Sequence, residues 1–399
     1  MARAPARAVR DPVRGPDRFL VFGAPQIADA EVEEVVATMR STWLGTGPRV
    51  ARFEDLFRAR TQARHALAVN SCTAALHLAV LAAGIGLGDE VIVPALTFCA
   101  TANAVIHTGA TPVAADVDPD TMNLDLADVE ARLSPRTRAI IPVHFAGRPC
   151  DMDAIGALAV RHGLVVIEDC AHAVETLWNG VAAGRHGDLG CFSFYATKNV
   201  TTGEGGMVVT DRDEYAESIK VRALHGMTRD AWRRFSDEGY RHYQVVFPGF
   251  KYNMMDLQAA IGIHQLARVE TNWLRRREIW DRYMRELPGL GLGLPAPVPD
   301  GPSRHAHHLF TVLVDPHRVG IERDAFLDAM TAQGIGVGVH YLSLPEHPYY
   351  QQAFGWTPGD VPNAARIGRQ TVSIPLSPAL TDEDVTDVIE AIRRVATTA

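Results

Sequence analysis

A single lysine stands between an aromatic, strand-like run and a glycine-rich turn: Phe192-Ser193-Phe194-Tyr195-Ala196-Thr197-Lys198-Asn199-Val200-Thr201-Thr202-Gly203-Glu204-Gly205-Gly206. A second apolar run, Met207-Val208-Val209, follows the turn. A lysine that ends a buried strand loses solvation, and desolvation disfavours its ammonium form. The neutral amine is a nucleophile toward a carbonyl, the first requirement for a Schiff base. The glycines allow a bulky group to approach the backbone closely. Ser193, five residues upstream, offers a hydroxyl to an anion. A lysine that binds pyridoxal phosphate (PLP) needs these surroundings. Taken alone, the stretch reads equally well as an ordinary lysine closing a strand.

The run Leu164-Val165-Val166-Ile167-Glu168-Asp169 separates the two readings. It is short and apolar and ends in carboxylates, with Asp169 lying 29 residues before Lys198. A buried strand that delivers Asp at its C-terminal end places charge where open α/β sheets bind ligands. The ring nitrogen of PLP is an effective electron sink only when protonated, and a buried anion beside it keeps the proton there. His172, three residues further on, is placed to hydrogen-bond the cofactor's phenolic oxygen or to steady Asp169. The alternative for Asp169 is a strand-end cap.

Composition narrows the class. The 399 residues are enough for one large and one smaller domain with a sizeable core. The net charge of −8 and the lack of a basic block argue against a nucleic-acid partner. No apolar run reaches the roughly 18 residues that span a bilayer. Five cysteines (Cys72, Cys99, Cys150, Cys170 and Cys191) form no C-x-x-C pair, which points to a reducing, cytoplasmic setting. Residues 1–18 alternate Arg with Ala and Pro, and read as a disordered tail without a signal-peptide core.

Along the chain, Asp29 is expected to cap a helix running to about Arg40. The loop Trp43-Leu44-Gly45-Thr46-Gly47-Pro48 follows. His65 to Val69 reads as a strand, and Asn70-Ser71-Cys72-Thr73 opens an apolar helix. A helix N-terminus rich in hydroxyls is an anion site, so Cys72 and Thr73 are candidates to hold the cofactor phosphate. Strands at 90–94, 112–116, 139–144 and 164–169 alternate with helices at 126–133 and 152–162. Such βαβ units predict an α/β fold, a mostly parallel sheet with helices on both faces. Residues 225–252 form a long polar connection holding Arg229, Arg233, Arg234 and Lys251, cations that fit either an anionic substrate or a solvated loop. A helix over about 256–287 links a PLP-binding large domain (19–270) to a small C-terminal α+β domain (271–399). In the latter, a strand is expected over 336–340. Histidines 305, 307 and 308 lack metal-ligand spacing and read as surface or strand residues; no metal is expected.

Several of these pieces, in this order, resemble the DegT/StrS-type sugar aminotransferases, a branch of the fold-type I PLP enzymes. The resemblance runs from about Phe22 to Arg394. It rests on Asn70-Ser71-Cys72-Thr73-Ala74-Ala75-Leu76, Pro94-Ala95-Leu96-Thr97-Phe98, Ile167-Glu168-Asp169-Cys170-Ala171-His172 and the stretch from Ser193 to Gly206. It continues through Lys251-Tyr252-Asn253, Asp256-Leu257-Gln258-Ala259-Ala260, His340-Tyr341 and Ser373-Ile374-Pro375-Leu376. The resemblance implies that Phe98 stacks on the pyridine ring, a flat side chain against a flat cofactor. It also implies that Asn253 reaches the PLP phosphate of the neighbouring subunit in a homodimer with shared sites. Trp43, His340 and Tyr341 are implied around the substrate, where the loop cations Arg229 and Lys251 are also candidates.

The activity expected from these readings is transamination. Lys198 holds PLP as a Schiff base and, once displaced by an amino-acid donor, expected to be glutamate, shuttles the α-proton. Pyridoxamine 5'-phosphate is the intermediate. The resemblance implies a nucleotide-linked keto sugar as acceptor, best fitted by a dTDP-4-keto-6-deoxyhexose aminated at C4. Two rivals stand beside it. One is a dehydrating or eliminating PLP enzyme of the same branch, some of which carry histidine in place of the lysine. The other is a non-catalytic regulatory relative, which would not need the set Lys198, Asp169, Phe98 and Ser193.

Overall fold

The computed structural model describes residues 12–227, 244–298 and 301–397. Its centre is a seven-stranded sheet. In chain order the strands are β1 (His65–Val69), β2 (Glu90–Pro94), β3 (Thr111–Ala115), β4 (Thr137–Ile140) and β5 (Val165–Asp169). A small hairpin, β6 (Leu177–Trp178) with β7 (Val181–Ala182), precedes β8 (Leu189–Ser193) and β9 (Gly206–Thr210). The spatial order is β1-β9-β8-β5-β4-β2-β3. β9 is antiparallel to both neighbours, and all other pairings are parallel. Helices such as Cys72–Ala82 and Met152–His162 connect them, as expected for a fold-type I PLP transferase.

Central strands buried on both faces need continuous apolar runs, and β2, β8 and β9 are buried at every residue. The topology brings the C-terminal ends of β1, β2, β5 and β8 to one edge of the sheet. The antiparallel β9 contributes its beginning, Gly206, to that same edge. Residues 70–73, 95–101, 169–172 and 193–206 therefore converge, although 136 positions separate the first from the last.

A second core lies around Trp280, Tyr283, Phe310, Phe326, Ile374 and Ile389, between the helix Val269–Glu286, the helix Asp382–Thr397 and the pair β10 (Phe310–Leu313) and β11 (Thr371–Ile374). Thr381 caps the last helix, its hydroxyl accepting from Asp384 N–H at 3.1 Å.

Several local expectations are corrected. The helix expected over 256–287 is two helices, Asp256–Ala267 and Val269–Glu286, broken at Arg268. Arg268 has ψ 9°, away from helical values, and its guanidinium is tied to Glu31 and to the carbonyl of Gln26. Residues 336–340 form no strand; a lone bridge joins Gly338 to Ser373. Ala28, not Asp29, is the N-cap of the helix Asp29–Arg40, with Glu31 reaching back to the Ala28 N–H at 3.1 Å. Residues 12–18, read as disordered, are ordered: Arg14 is buried and bridges Asp384 at 2.5 Å and Asp387 at 3.1 Å. Histidines 305, 307 and 308 are neither on the surface nor in strands. All three are buried ahead of β10, with His305 and His307 packed on Trp280.

Candidate active site

The converging strand ends enclose a cavity of about 460 Å³. Ser71, Cys72, Thr73, Phe98, Thr101, Asp169, His172, Ser193, Lys198, His340 and Tyr341 all face it. The chain holds three lysines, Lys198, Lys220 and Lys251, and Lys198 is the one lining this cavity.

Asp169 ends β5 as a buried carboxylate. Its Oδ2 accepts from Thr101 Oγ1 at 2.9 Å, and its Oδ1 accepts from Ala171 N–H at 3.1 Å. Burial still pushes this carboxyl upward, against the pull of those donors and of Lys198. It is a carboxylate short of positive charge, suited to a buried cationic partner. Lys198 follows β8 in a turn whose first bond is Lys198 N–H to Tyr195 O at 2.9 Å. Burial lowers the Lys198 ammonium to about 8, while Cys72 and Asp169 resist that shift. About a tenth of the amine is therefore free at pH 7, far more than in an ordinary lysine.

The phosphate end is built from backbone. Ser71 caps the helix Cys72–Ala82 by accepting from Ala74 N–H at 3.1 Å. The first intrahelical bond is Ala75 N–H to Ser71 O, so the amides of Cys72 and Thr73 precede the ladder and carry the positive end of the helix dipole. Gly206 packs against this turn. A Cβ there would lie 2.5 Å from the Ser71 carbonyl and 2.8 Å from Cys72 N, closer than real contacts allow. Ser193, buried at the end of β8, completes the rim. An anion cradle of amides and hydroxyls, a buried carboxylate and a low-pKa lysine in one cavity fit PLP in charge and in reactivity.

His172 is buried, and Ala146 N–H donates to its Nδ1 at 3.2 Å. That contact leaves the ring proton on Nε2, which donates to the Tyr341 hydroxyl at 3.1 Å. Burial, Lys198 and His340 hold the ring well below the usual histidine range, so it is neutral. Burial likewise raises the Tyr341 phenol, which keeps its proton. His340 bonds Ser373 Oγ through Nδ1 at 2.8 Å.

Not every candidate from the sequence reaches this cavity. Phe98 does, half its surface open and its ring 5.8 Å from that of Tyr341. Trp43 and Asn253 instead line a separate pocket of about 350 Å³ beside β1. Asn253 donates to Thr46 Oγ1 at 2.7 Å and accepts from Lys251 Nζ at 2.6 Å. Arg229, Arg233 and Arg234 lie outside the described residues. Glu168 is a structural anchor that sequence reasoning did not single out. Its oxygens accept from His144 Nε2 (3.0 Å) and the amides of Gly184 (2.8 Å), His186 (2.8 Å) and Gly187 (2.6 Å). His144, Glu168 and Cys170 cluster closely enough to hold a metal ion, but those four donors already occupy the Glu168 carboxylate.

A mostly parallel sheet whose C-terminal edge pairs a buried aspartate with a low-pKa lysine defines a fold-type I PLP enzyme. The match to known proteins makes this specific. The chain belongs to the DegT/DnrJ/EryC1/StrS aminotransferase family, whose model matches residues 25–393. It is a PLP-dependent aminotransferase of the sugar-aminotransferase type. It is 49% identical over 383 residues to the spore coat polysaccharide biosynthesis protein SpsC of Bacillus subtilis, covering 95% of this chain and 97% of SpsC. Among solved structures, Spr1654 of Streptococcus pneumoniae, assigned as a sugar aminotransferase, superposes in its PLP form with a TM-score of 0.88. It is 31% identical, with 95% of this chain and 99% of that one covered. A PMP form of the same protein matches equally well, at TM-score 0.88. DesI, solved with its TDP-sugar product, gives a TM-score of 0.84 at 34% identity, with 96% and 94% covered.

Proposed function

We propose that this enzyme transfers an amino group from glutamate to a nucleotide-linked keto sugar, a dTDP-4-keto-6-deoxyhexose, and works as a cytoplasmic homodimer. The observation that carries the chemistry is Lys198, lowered to about 8, sharing one cavity with the buried carboxylate of Asp169. When bound there, PLP supplies an electron sink for the carbanion of the amino acid.

The protein residues do the rest. Asp169 stabilises positive charge in the cavity, with Thr101 and Ala171 holding its oxygens in place. Lys198 accepts a proton when its amine is free and returns it, since its pKa lies near working pH. Cys72, Thr73 and Ser193 bind the phosphate, and Phe98 covers one face of the ring. His172 and Tyr341 form an uncharged donor edge. Trp43, Arg229, Lys251, His340 and Tyr341 serve the substrate.

The sugar acceptor is supported by relatives: SpsC is named for polysaccharide biosynthesis, and DesI was solved with a TDP-sugar. Lys198 also favours transamination over the dehydratase reading. The homodimer is supported by the position of Asn253 and Trp43, which line a pocket separate from the Lys198 cavity of their own chain. No helix among the described residues is long and apolar enough to cross a membrane. The test is a screen of nucleotide keto sugars with glutamate, read by mass for replacement of ketone by amine. Conversion of a dTDP-4-keto-6-deoxyhexose supports the proposal. Conversion of a different nucleotide sugar alone overturns the choice of acceptor.

A further inference from the structure

Behind the wall formed by His172 lies a buried polar chain that the reaction as described does not use. Asn199, the residue after the lysine, is buried. Its Nδ2 donates to Glu175 Oε1 at 3.0 Å, Glu175 Oε2 at 2.9 Å and Ala306 O at 3.0 Å. A backbone carbonyl can only accept, so the contact with Ala306 O gives the amide one orientation and turns Oδ1 toward His308 Nδ1, 2.9 Å away. That nitrogen must then carry the proton. His308 is thus the Nδ1–H tautomer, whereas His172 is the Nε2–H tautomer.

The two rings are in contact, with centroids 4.5 Å apart and planes tilted by 37°. Ala146 brackets them. Its N–H donates to His172 Nδ1 at 3.2 Å, and its carbonyl accepts from His308 N–H at 3.0 Å. Ala146 does this from the left-handed region, φ 56°, a conformation that disfavours a non-glycine residue. Glu175 is fully buried, and burial pushes its carboxyl upward against the pull of the buried Arg276 and of the Asn199 amide. Arg276 Nη1 in turn donates to the carbonyl of Leu376 at 2.8 Å and to those of His307 and His308, each at 3.4 Å. Such a set of buried groups is stable only when each member has its partner.

We propose that Asn199 is a positioning residue for aminotransfer: oriented by the Ala306 carbonyl beside Glu175, it fixes the tautomer of His308, and His308 with Ala146 fixes the ring of His172 and through it the hydroxyl of Tyr341 at the Lys198 cavity. The Tyr341 hydroxyl accepts from His172 and so keeps its own proton for whatever occupies the cavity. The proposal rests on Lys198 and His172 acting in this site, not on the identity of the sugar or the donor.

The test reads ring tautomers directly. In full-length protein labelled with ¹⁵N-histidine, His308 is expected as Nδ1–H and His172 as Nε2–H, assigned by His308→Gln and His172→Gln. Asn199→Ala removes the acceptor of the His308 Nδ1 proton, and the His308 signal should then move toward the Nε2–H form. In PLP-loaded protein, Asn199→Ala should slow the loss of visible absorbance on adding glutamate by roughly 10- to 100-fold, the scale of a small misplacement, with KM nearly unchanged. A native His308 protonated on Nε2 overturns the proposal. So does a folded Asn199→Ala that lowers only Tm and leaves rate and ring signals as they were. If Asn199→Ala does not fold, the ring tautomers of the native protein still decide the matter. If glutamate is not the donor, the tautomer result stands without it.

Discussion

Thr101 Oγ1 donates to Asp169 Oδ2 at 2.9 Å, and Thr101 Oγ1 also lies 2.8 Å from Thr97 Oγ1. Having given its proton to the carboxylate, Thr101 must accept from Thr97. The pair orders a donor chain that ends on the buried aspartate and favours its charged form. Thr101→Val removes that donor at nearly constant shape. A hydrogen bond to a charged group is worth about 1.5–3 kcal/mol, so the single-turnover rate with an amino donor should fall about 10- to 100-fold. Asp169→Asn removes the charge itself and should cost on the order of 10²–10⁴-fold. A Thr101→Val enzyme as fast as the parent would show that Ala171 N–H alone sustains the carboxylate.

Gly206→Ala should weaken PLP binding by about tenfold or more. The added Cβ would fall 2.5 Å from the Ser71 carbonyl, and the turn bearing Cys72 and Thr73 would have to move. Gly156→Ala is the control, since a Cβ added there, on the helix Met152–His162, would meet nothing within 4 Å. Titration of apoprotein with PLP measures both. Equal affinities would remove these amides from the phosphate site.

The rate of covalent PLP capture by apoprotein should follow the free amine of Lys198. A protonated lysine is not a nucleophile, so capture should be slow well below pH 8 and level off above about 8. An ordinary lysine would keep gaining up to about 10.4. Stopped-flow absorbance across that range separates the two profiles.

Much of the site could be read from sequence because its parts are contiguous signals at strand ends. Asp169 closes an apolar run, Ser71 caps a helix, and Gly205-Gly206 follows the lysine. Other features depend on contacts between distant segments. The break at Arg268 interrupts a pattern that stays helical on both sides, and its ties are to Glu31 and Gln26, more than 230 positions away. Histidines 305, 307 and 308 look polar in isolation but are covered by Trp280, Asn199 and His172. Arg14 sits in a tail that looks disordered until the last helix supplies Asp384 and Asp387. Asn199 carries no local mark of its role, since both of its side-chain partners, Glu175 and His308, lie elsewhere in the chain.

A homodimer with shared sites predicts complementation. Lys198→Ala and Asn253→Ala chains should each be nearly inactive alone. In a hybrid where Asn253 acts across the interface, one site carries both defects and the other is intact. Activity should then recover toward half of normal. Absence of recovery, with Asn253→Ala itself severely impaired, would place Asn253 in its own chain's site.

The central claim is that Lys198 holds the cofactor, and one measurement addresses it directly. PLP-loaded protein is reduced with borohydride, digested and mapped by mass. Three lysines are available, Lys198, Lys220 and Lys251. The predicted result is a single phosphopyridoxyl label on the peptide containing Lys198, absent from Lys198→Ala. A label on Lys220 or Lys251 in the native protein, with Lys198 unmodified, would contradict it.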